Sequence, residues 1–268
     1  MEDGITWLRE SEEVPTLVVL DFDGTLAEIV ERPGEAALLP GLRPVLEELR
    51  RRIPLGVLSG RGLMDLRGRL GMDGLYLGGS HGLEMMRPNG EVEEAPGLQE
   101  AQEALEEVVP ELRERVATRE GLELEEKPFS VALHFRREPE ARSVVEAWLD
   151  DVTGPHLKVV EGKMVRELRP ALDWDKGAAL RWILEEMGAG PQDVPIYIGD
   201  DLTDEDGFAA LSPPGGGILV AEEARPTEAR WRLDDPNQVR RFLAFLVERI
   251  DGARGQPGAG GLAPYGFS

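Results

Sequence analysis

The chain has 268 residues, with 52 acidic against 30 basic side chains. This length allows one large domain or a core with an inserted module, and the absence of cysteine excludes disulfides, thiolate metal sites and cysteine nucleophiles. A net charge of −22 argues against nucleic acid and anionic membranes as partners. No apolar run reaches the ~20 residues of a membrane span and the acidic N-terminus is unlike a secretory signal, so we expect a cytoplasmic protein.

The first third of the chain alternates strand and helix patterns. Residues 15–21, PTLVVLD, form a short apolar run typical of a strand buried on both faces. After a loop, the pattern predicts a helix over 42–51, a strand over 53–60, a helix over 62–70, a strand over 75–82 and a hairpin that turns at Pro88–Gly90. Strands that alternate with helices indicate βαβ units and a parallel sheet.

The pattern changes near residue 97. Residues 98–169 predict the order α-β-β-α-β-β, with the first helix interrupted by Pro110. The alternating pattern then resumes. We therefore predict a doubly wound, parallel-sheet α/β core of residues 1–97 and 170–250, and a smaller α+β cap domain inserted at 98–169. The Gly- and Pro-rich residues 251–268 predict a disordered tail.

Lysine is rare in this sequence. Only four of the 30 bases are lysines, and all four lie within 50 residues, at Lys127, Lys158, Lys163 and Lys176. Codon preference explains an arginine-rich surface equally well. Where surface lysine has largely been replaced, a surviving lysine suggests a need for a compact ammonium group.

Asp21 and Asp23 end the first apolar strand in the motif DFDGTL. Side chains at positions i and i+2 of an extended chain point to the same side, and two such close carboxylates repel each other unless a cation or a shared proton relieves them. The strand and motif together resemble the first motif of the haloacid dehalogenase-like phosphatases. That resemblance implies that Asp21 attacks phosphorus, that Asp23 is the general acid and base, and that both bind Mg²⁺, Asp23 through its backbone carbonyl.

Further motifs of this superfamily follow in order. The resemblance implies that Ser59, after the apolar run IPLGVL, bonds the phosphoryl group, and that Lys176 in WDKG neutralises the nucleophile and the phosphate. It also implies that Asp200 in GDDLTDED binds Mg²⁺, with Asp201 and Asp204 as acidic residues nearby that support the site. These residues follow predicted strands or begin a helix, and ligands bind at the carboxyl ends of strands in open α/β sheets.

The predicted cap carries a more specific pattern. The motifs WDKG, GDDLTDEDGF and GSHGLE, together with E-E-K, H-F-R and G-K-x-x-x-E, resemble the trehalose-6-phosphate phosphatases. The resemblance implies that the cap residues contact the disaccharide; they are Glu125, Lys127, His134, Arg136, Lys163 and Glu167. A surface ion pair between Lys163 and Glu167 is the alternative, and Lys158 matches no motif.

Two further residues are candidates for substrate binding. His81 lies in the GSHG loop and is either a substrate donor or a structural histidine. Arg61, in the sequence SGR, orients either the phosphate or an acidic partner. The resemblance implies a monomeric, Mg²⁺-dependent enzyme that hydrolyses trehalose 6-phosphate. The alternatives are a phosphatase for sucrose phosphate or mannosyl-phosphoglycerate, or a non-catalytic regulatory module.

Overall fold

The structure, a computed structural model, describes residues 1–254. It divides into two compact units, the first made of Met1–Glu93 and the chain from Trp174 onward, the second of Glu94–Asp173. The second unit therefore begins at 94 where the sequence predicted 98, and ends at 173 where it predicted 169. Within residues 1–254, no helix has the length and apolar character needed to cross a membrane.

Thirteen strands and eight α-helices make up the described chain. The strands are β1 (Glu2–Asp3), β2 (Leu17–Leu20), β3 (Leu55–Leu58), β4 (Tyr76–Gly79), β5 (Glu84–Met86), β6 (Val92–Glu94), β7 (Glu123–Lys127), β8 (Ser130–His134), β9 (Leu157–Gly162), β10 (Val165–Pro170), β11 (Pro195–Gly199), β12 (Gly216–Val220) and β13 (Trp231–Leu233). The helices are α1 (Gly4–Glu10), α2 (Leu42–Arg50), α3 (Leu63–Leu70), α4 (Leu98–Ala117), α5 (Arg142–Val152), α6 (Lys176–Glu186), α7 (Glu205–Ala209) and α8 (Pro236–Arg254).

The sheet of the first unit has the strand order β1-β13-β12-β11-β2-β3-β4-β5-β6. Strands β2, β3 and β4 pair in parallel on one side, and β11, β12 and β13 pair in parallel on the other. After β1, which pairs with β13 at one edge, the chain enters the middle of the sheet at β2, builds outward, and returns to pair β11 against β2. The junction of β2 and β11 is the point where the strand order reverses, which is where ligands bind in doubly wound sheets.

Helices cover both faces of this sheet, as the continuous apolar strands require. All four residues of β2 are buried. Because side chains alternate across a strand, Val18 and Leu20 pack with the apolar residues of α1, α2, α3 and α8, whereas Leu17 and Val19 pack with those of α6 and α7. The predicted doubly wound α/β core is confirmed.

The second unit has the predicted order α-β-β-α-β-β. Its antiparallel sheet has the order β7-β8-β10-β9, and apolar residues of α4 and α5 pack on one face of it. The predicted interruption of the first helix is wrong, because α4 continues through Pro110. Leu105 and Leu112 of α4 are buried on either side of the proline, and such packing outweighs the loss of one helical hydrogen bond.

The final helix is longer than the sequence suggested. Helix α8 continues to Arg254, so residues 251–254 of the expected disordered tail are helical. Arg52 explains the extension, because its guanidinium donates to both carboxylate oxygens of Asp251 at 2.7 and 2.9 Å, and Arg254 donates to the Arg52 carbonyl at 2.8 Å. The rest of that predicted tail lies outside the described residues.

Candidate active site

Asp21 is the first residue after β2, at the point where the strand order reverses. Its backbone N–H donates to the carbonyl of Ile198 in β11 at 2.8 Å, so the sheet itself fixes this position. The side chain is buried, with 4% of the residue exposed. Burial raises the pKa of Asp21 well above its ordinary value; Lys176 opposes this effect, while the carboxylates of Asp204 and Asp200 add to it.

Lys176 is brought to Asp21 by the start of α6. Asp175 caps this helix, because its side chain accepts the N–H of Ala178 at 2.7 Å. The Lys176 ammonium donates to Asp21 Oδ1 at 2.8 Å and to Asp204 Oδ1 at 2.6 Å. Burial alone would lower the pKa of Lys176, but attraction to the two carboxylates outweighs it and raises the pKa above its ordinary value. The ammonium therefore stays charged beside Asp21.

Asp204 is fully buried and accepts four hydrogen bonds. Its Oδ1 accepts from Lys176 at 2.6 Å and from the hydroxyl of Tyr197. Its Oδ2 accepts the backbone N–H groups of Asp200 and Asp201, each at 3.0 Å. Because each oxygen already has two donors, the carboxylate is suited to hold Lys176 and the loop after β11 in place.

Carboxylate oxygens of Asp21, Asp200 and Asp204 lie within 4.8 Å of one another. Burial, with repulsion from Asp204 and Asp201, raises the pKa of Asp200 to about 7. Gly24 has φ +78°, and a Cβ there would lie 2.0 Å from Asp200 Oδ2, so only glycine leaves this space open. Hard divalent cations prefer oxygen ligands, so the carboxylate oxygens of this cluster are suited to bind such a cation.

Asp23 lies apart from that cluster, in contact with Arg61. The guanidinium donates through Nε to Asp23 Oδ2 at 2.7 Å and through Nη2 to Oδ1 at 2.6 Å. It also stacks over the ring of Phe22 at 5.5 Å. Of the two partners predicted for Arg61, the structure shows the acidic one. Each oxygen of Asp23 therefore accepts one donor, and the side chain stays partly exposed.

Ser59 follows β3 and is buried. Its hydroxyl accepts the N–H of Arg61 at 3.2 Å, and its carbonyl accepts the N–H of His81 at 2.8 Å. The His81 ring packs against Gly60, where a Cβ would lie 2.8 Å from the ring. Trp174 donates to the carbonyl of Gly82 at 2.7 Å. The contacts with Ser59 and Gly60 hold His81 beside the loop that contains Ser59.

In the second unit, the carboxylate of Glu167 accepts hydrogen bonds from two basic side chains. Its Oε1 accepts from Lys127 Nζ at 3.1 Å and from Ser130 Oγ at 2.6 Å, and Oε2 accepts from Arg169 at 2.5 Å. Burial would raise the pKa of Glu167, but these three donors lower it to about 2. The predicted alternative, an ion pair between Lys163 and Glu167, is wrong, because other donors occupy this carboxylate.

The remaining residues predicted to contact substrate lie in or near the same sheet. Glu125 of β7 lies 2.9 Å from His134 Nε2 of β8. Arg136 and Lys163 are exposed and form no ion pair within residues 1–254. The structure thus brings Lys127 together with Glu167, and Glu125 with His134, and leaves Arg136 and Lys163 available.

Several residues that contact the predicted site residues were not singled out from the sequence, among them Tyr197, Arg225, Ser130, Arg169 and Asp65. Tyr197 carried a signal, because it places a hydroxyl inside the apolar run PIYI, and a buried hydroxyl needs a partner. Arg225 donates to the carbonyls of Asp200 and Asp201 at 3.2 and 3.1 Å, which no sequence spacing indicates.

The fold, with carboxylates at the point where its strand order reverses, resembles that of the haloacid dehalogenase-like hydrolases. A protein of that description from Bacteroides thetaiotaomicron superposes with a TM-score of 0.58 over 88% of this chain and 99% of its own, at 21% identity, which supports the fold. A trehalose-6-phosphate phosphatase from Aspergillus fumigatus superposes with a TM-score of 0.68 at 27% identity, over 92% of this chain and 98% of its own.

The family follows from the sequence match. A family model described as trehalose-phosphatase matches residues 19–237, and the chain belongs to this family. It is 40% identical over 241 residues to a trehalose-phosphate phosphatase of Mycobacterium bovis, a match that covers 87% of this chain and 61% of the relative. The chain thus spans less than two thirds of that relative's length.

Proposed function

We propose that this chain hydrolyses trehalose 6-phosphate to trehalose and inorganic phosphate, with Asp21 as the nucleophile. The observation that carries the proposal is the position of Asp21. It is buried at the reversal point of the sheet, bonded to a charged lysine and next to a second carboxylate, Asp200. A carboxylate nucleophile divides phosphate-ester hydrolysis into two easier steps.

Asp21 carries out the first step. Its Oδ1 is held by Lys176, which leaves Oδ2 to attack phosphorus. The Oδ2–P bond forms as the bond from phosphorus to the sugar oxygen breaks, and Asp23 gives a proton to that oxygen. In the second step Asp23 takes a proton from water, the water oxygen bonds to phosphorus, and the bond to Asp21 breaks. Lys176 neutralises charge beside the reacting group throughout.

Arg61 holds Asp23 for these proton transfers. Each oxygen of Asp23 accepts one N–H of the guanidinium and keeps a further lone pair that can act on the leaving group or on water. Arg61 is itself bonded to Asp65 at 3.1 Å, and this second carboxylate fixes the guanidinium. We therefore assign Arg61 to positioning Asp23.

The cofactor proposed for this site is Mg²⁺. The carboxylates of Asp21 and Asp200 would hold it, because Asp204 already accepts four donors, and the family resemblance adds the backbone carbonyl of Asp23. Bound Mg²⁺ supplies charge neutralisation for the phosphoryl oxygens.

The second unit supplies the proposed specificity for the disaccharide. Glu125, Lys127, His134 and Glu167 stand on strands of one sheet and form two contacting pairs, and Arg136 and Lys163 are exposed bases. The family match and the name of the Mycobacterium bovis relative support trehalose 6-phosphate over sucrose phosphate or mannosyl-phosphoglycerate.

The test is phosphate release from a panel of sugar phosphates with and without Mg²⁺. We expect trehalose 6-phosphate to show the highest kcat/KM, a need for Mg²⁺, and no turnover by Asp21→Asn. Asp73→Asn is the matched control, since Asp73 is an exposed carboxylate paired only with Arg67, and it should keep full activity. A folded Asp21→Asn enzyme with a tenth of the wild-type activity would contradict the covalent mechanism, and a better sugar phosphate would contradict the substrate.

A further inference from the structure

Most basic side chains of the second unit are paired with acids. Residues 94–173 contain 19 acids and 11 bases. Eight of those bases form ion pairs with carboxylates. The three that do not, within the described chain, are Arg136, Lys163 and Lys158. Two of these three are positions that the family resemblance assigns to the substrate, and the third is the lysine that no motif explains.

Lys158 lies on the face of the sheet that carries the predicted substrate contacts. Leu157 and Val159 of β9 pack with the helices, so the alternating Lys158 points to the opposite face. Glu167 and Arg169 share that face, because their neighbour Leu168 packs with the helices. Glu167, Arg169 and Lys158 therefore stand on one side of the sheet.

The neighbour of Lys158 across the strands is another cation. Lys158 is directly opposite Arg169 in the pairing of β9 with β10. Like charges placed opposite each other in antiparallel strands destabilise the pair. Arg169 and Lys127 share the carboxylate of Glu167, and Glu125 on the same face is bonded to His134. Within residues 1–254 Lys158 forms no ion pair of its own, so it adds a positive charge without a carboxylate partner to a unit that has an excess of acids.

We propose that Lys158, with Arg169 and Lys127, forms a cationic patch that attracts the phosphate dianion of the sugar-phosphate substrate. The inference rests on the proposed function and extends it to a residue outside the family motifs. A surplus of positive charge raises the local concentration of a dianion around an otherwise acidic protein, and salt screens that attraction. Lys158 thus acts on substrate capture and takes no part in bond breaking.

The test compares Lys158→Gln with Lys158→Arg and with Arg142→Gln. Arg142 is an exposed base paired with Glu146 on α5, so its replacement changes the net charge of the protein equally. At low ionic strength we expect Lys158→Gln to lower kcat/KM for trehalose 6-phosphate about fivefold through KM, because the patch loses one of the charges that attract the dianion. kcat should stay unchanged. Lys158→Arg should match the wild type, and Arg142→Gln should have little effect.

Ionic strength separates charge from a structural role. Near 0.5 M salt the deficit of Lys158→Gln should shrink to less than about twofold, because screening acts beyond a few ångströms. A deficit that persists in salt, a deficit equal to that of Arg142→Gln, or failure of Lys158→Arg to restore KM would overturn the proposal.

The proposed function can fail without refuting the cationic patch. If the wild-type chain hydrolyses no sugar phosphate, the patch is tested by calorimetry on the Asp21→Asn protein, with trehalose 6-phosphate and free trehalose as probes. Adding Lys158→Gln should weaken binding of the phosphate ester about fivefold at low salt and leave free trehalose unaffected. Equal effects on the two probes, or none on either, would refute the patch.

Discussion

Replacing Asp204 with Asn should destabilise the first unit more than any other single carboxamide substitution in its site. The carboxylate of Asp204 accepts two donors on each oxygen, from Lys176, Tyr197, Asp200 and Asp201. Asn keeps one carbonyl oxygen and replaces the other with an NH₂ donor. With its NH₂ at the Oδ2 position the amide faces the two backbone N–H donors; with its NH₂ at the Oδ1 position it faces the Lys176 ammonium, while the Tyr197 hydroxyl can rotate to accept from it. Either orientation leaves at least one donor facing another donor.

The magnitude follows from the number of lost partners. Asp204 is fully buried, so water cannot replace them. A buried donor left without a partner costs about 1–3 kcal/mol, and Asn also removes the negative charge that pairs with the buried Lys176 ammonium. Together these losses lower the free energy of unfolding by about 2–6 kcal/mol. Lys176 keeps its bond to Asp21, so we expect a folded enzyme with reduced kcat and an unchanged Mg²⁺ requirement.

Urea unfolding at neutral pH without Mg²⁺ measures this loss. Asp201→Asn is the matched control, because its exposed side chain accepts backbone N–H groups at the start of the next helical turn. The carbonyl oxygen of Asn can accept them as well, so the change should cost about 1 kcal/mol or less. If Asp204→Asn and Asp201→Asn unfold within about 1 kcal/mol of each other, the reasoning about the four donors is wrong.

Further predictions concern proton transfer by Asp23, Glu167 in the sheet of the second unit, and Tyr197. Asp23→Asn should lower turnover of trehalose 6-phosphate by about 10²–10⁴-fold and an aryl phosphate much less, because an aryl group leaves without a proton; equal losses would refute the acid role. Glu167→Ala should lower kcat/KM for the sugar phosphate and spare a small aryl phosphate, since Glu167 holds Lys127 and Arg169; equal losses on both substrates would instead indicate a fold defect. The folded pKa of Glu167, about 2, lies below its ordinary 4.5, so its stabilisation is complete above pH 4.5 and lost as pH falls towards 2. The gap in thermal stability between wild type and Glu167→Gln should shrink over that range, and a gap independent of pH would contradict this. Tyr197→Phe removes one of four donors to Asp204 and should cost about 1 kcal/mol in urea unfolding; a cost as large as that of Asp204→Asn would contradict the sharing of donors.

The strand ends could be predicted from sequence because a single periodicity determines them. Asp21 and Ser59 follow continuous apolar runs, and such runs in parallel sheets end at the same edge. The helix start at Asp175 and Lys176 follows from a capping aspartate. The path of α4 could not be predicted from local propensity, because Pro110 argues against a helix that tertiary packing nevertheless maintains.

Contacts between distant parts of the chain could not be predicted in this way. Lys176 and Asp21 are 155 residues apart, and the resemblance alone placed them together. The capture of Asp23 by Arg61 and the sharing of Glu167 by two bases depend on side-chain geometry that no spacing encodes. The lysine count drew attention to Lys158, but only the β9–β10 register shows its position opposite Arg169.

The central claim is that Asp21 becomes phosphorylated during hydrolysis, and chemical trapping tests it directly. The enzyme would be mixed with trehalose 6-phosphate and Mg²⁺, quenched in acid within milliseconds, treated with borohydride and analysed by peptide mass spectrometry. Borohydride reduces an aspartyl phosphate to homoserine. We predict homoserine at position 21, formed faster than phosphate is released and absent in Asp21→Asn. Phosphate release with unmodified Asp21 at every time point, or with modification at another carboxylate, would contradict the mechanism.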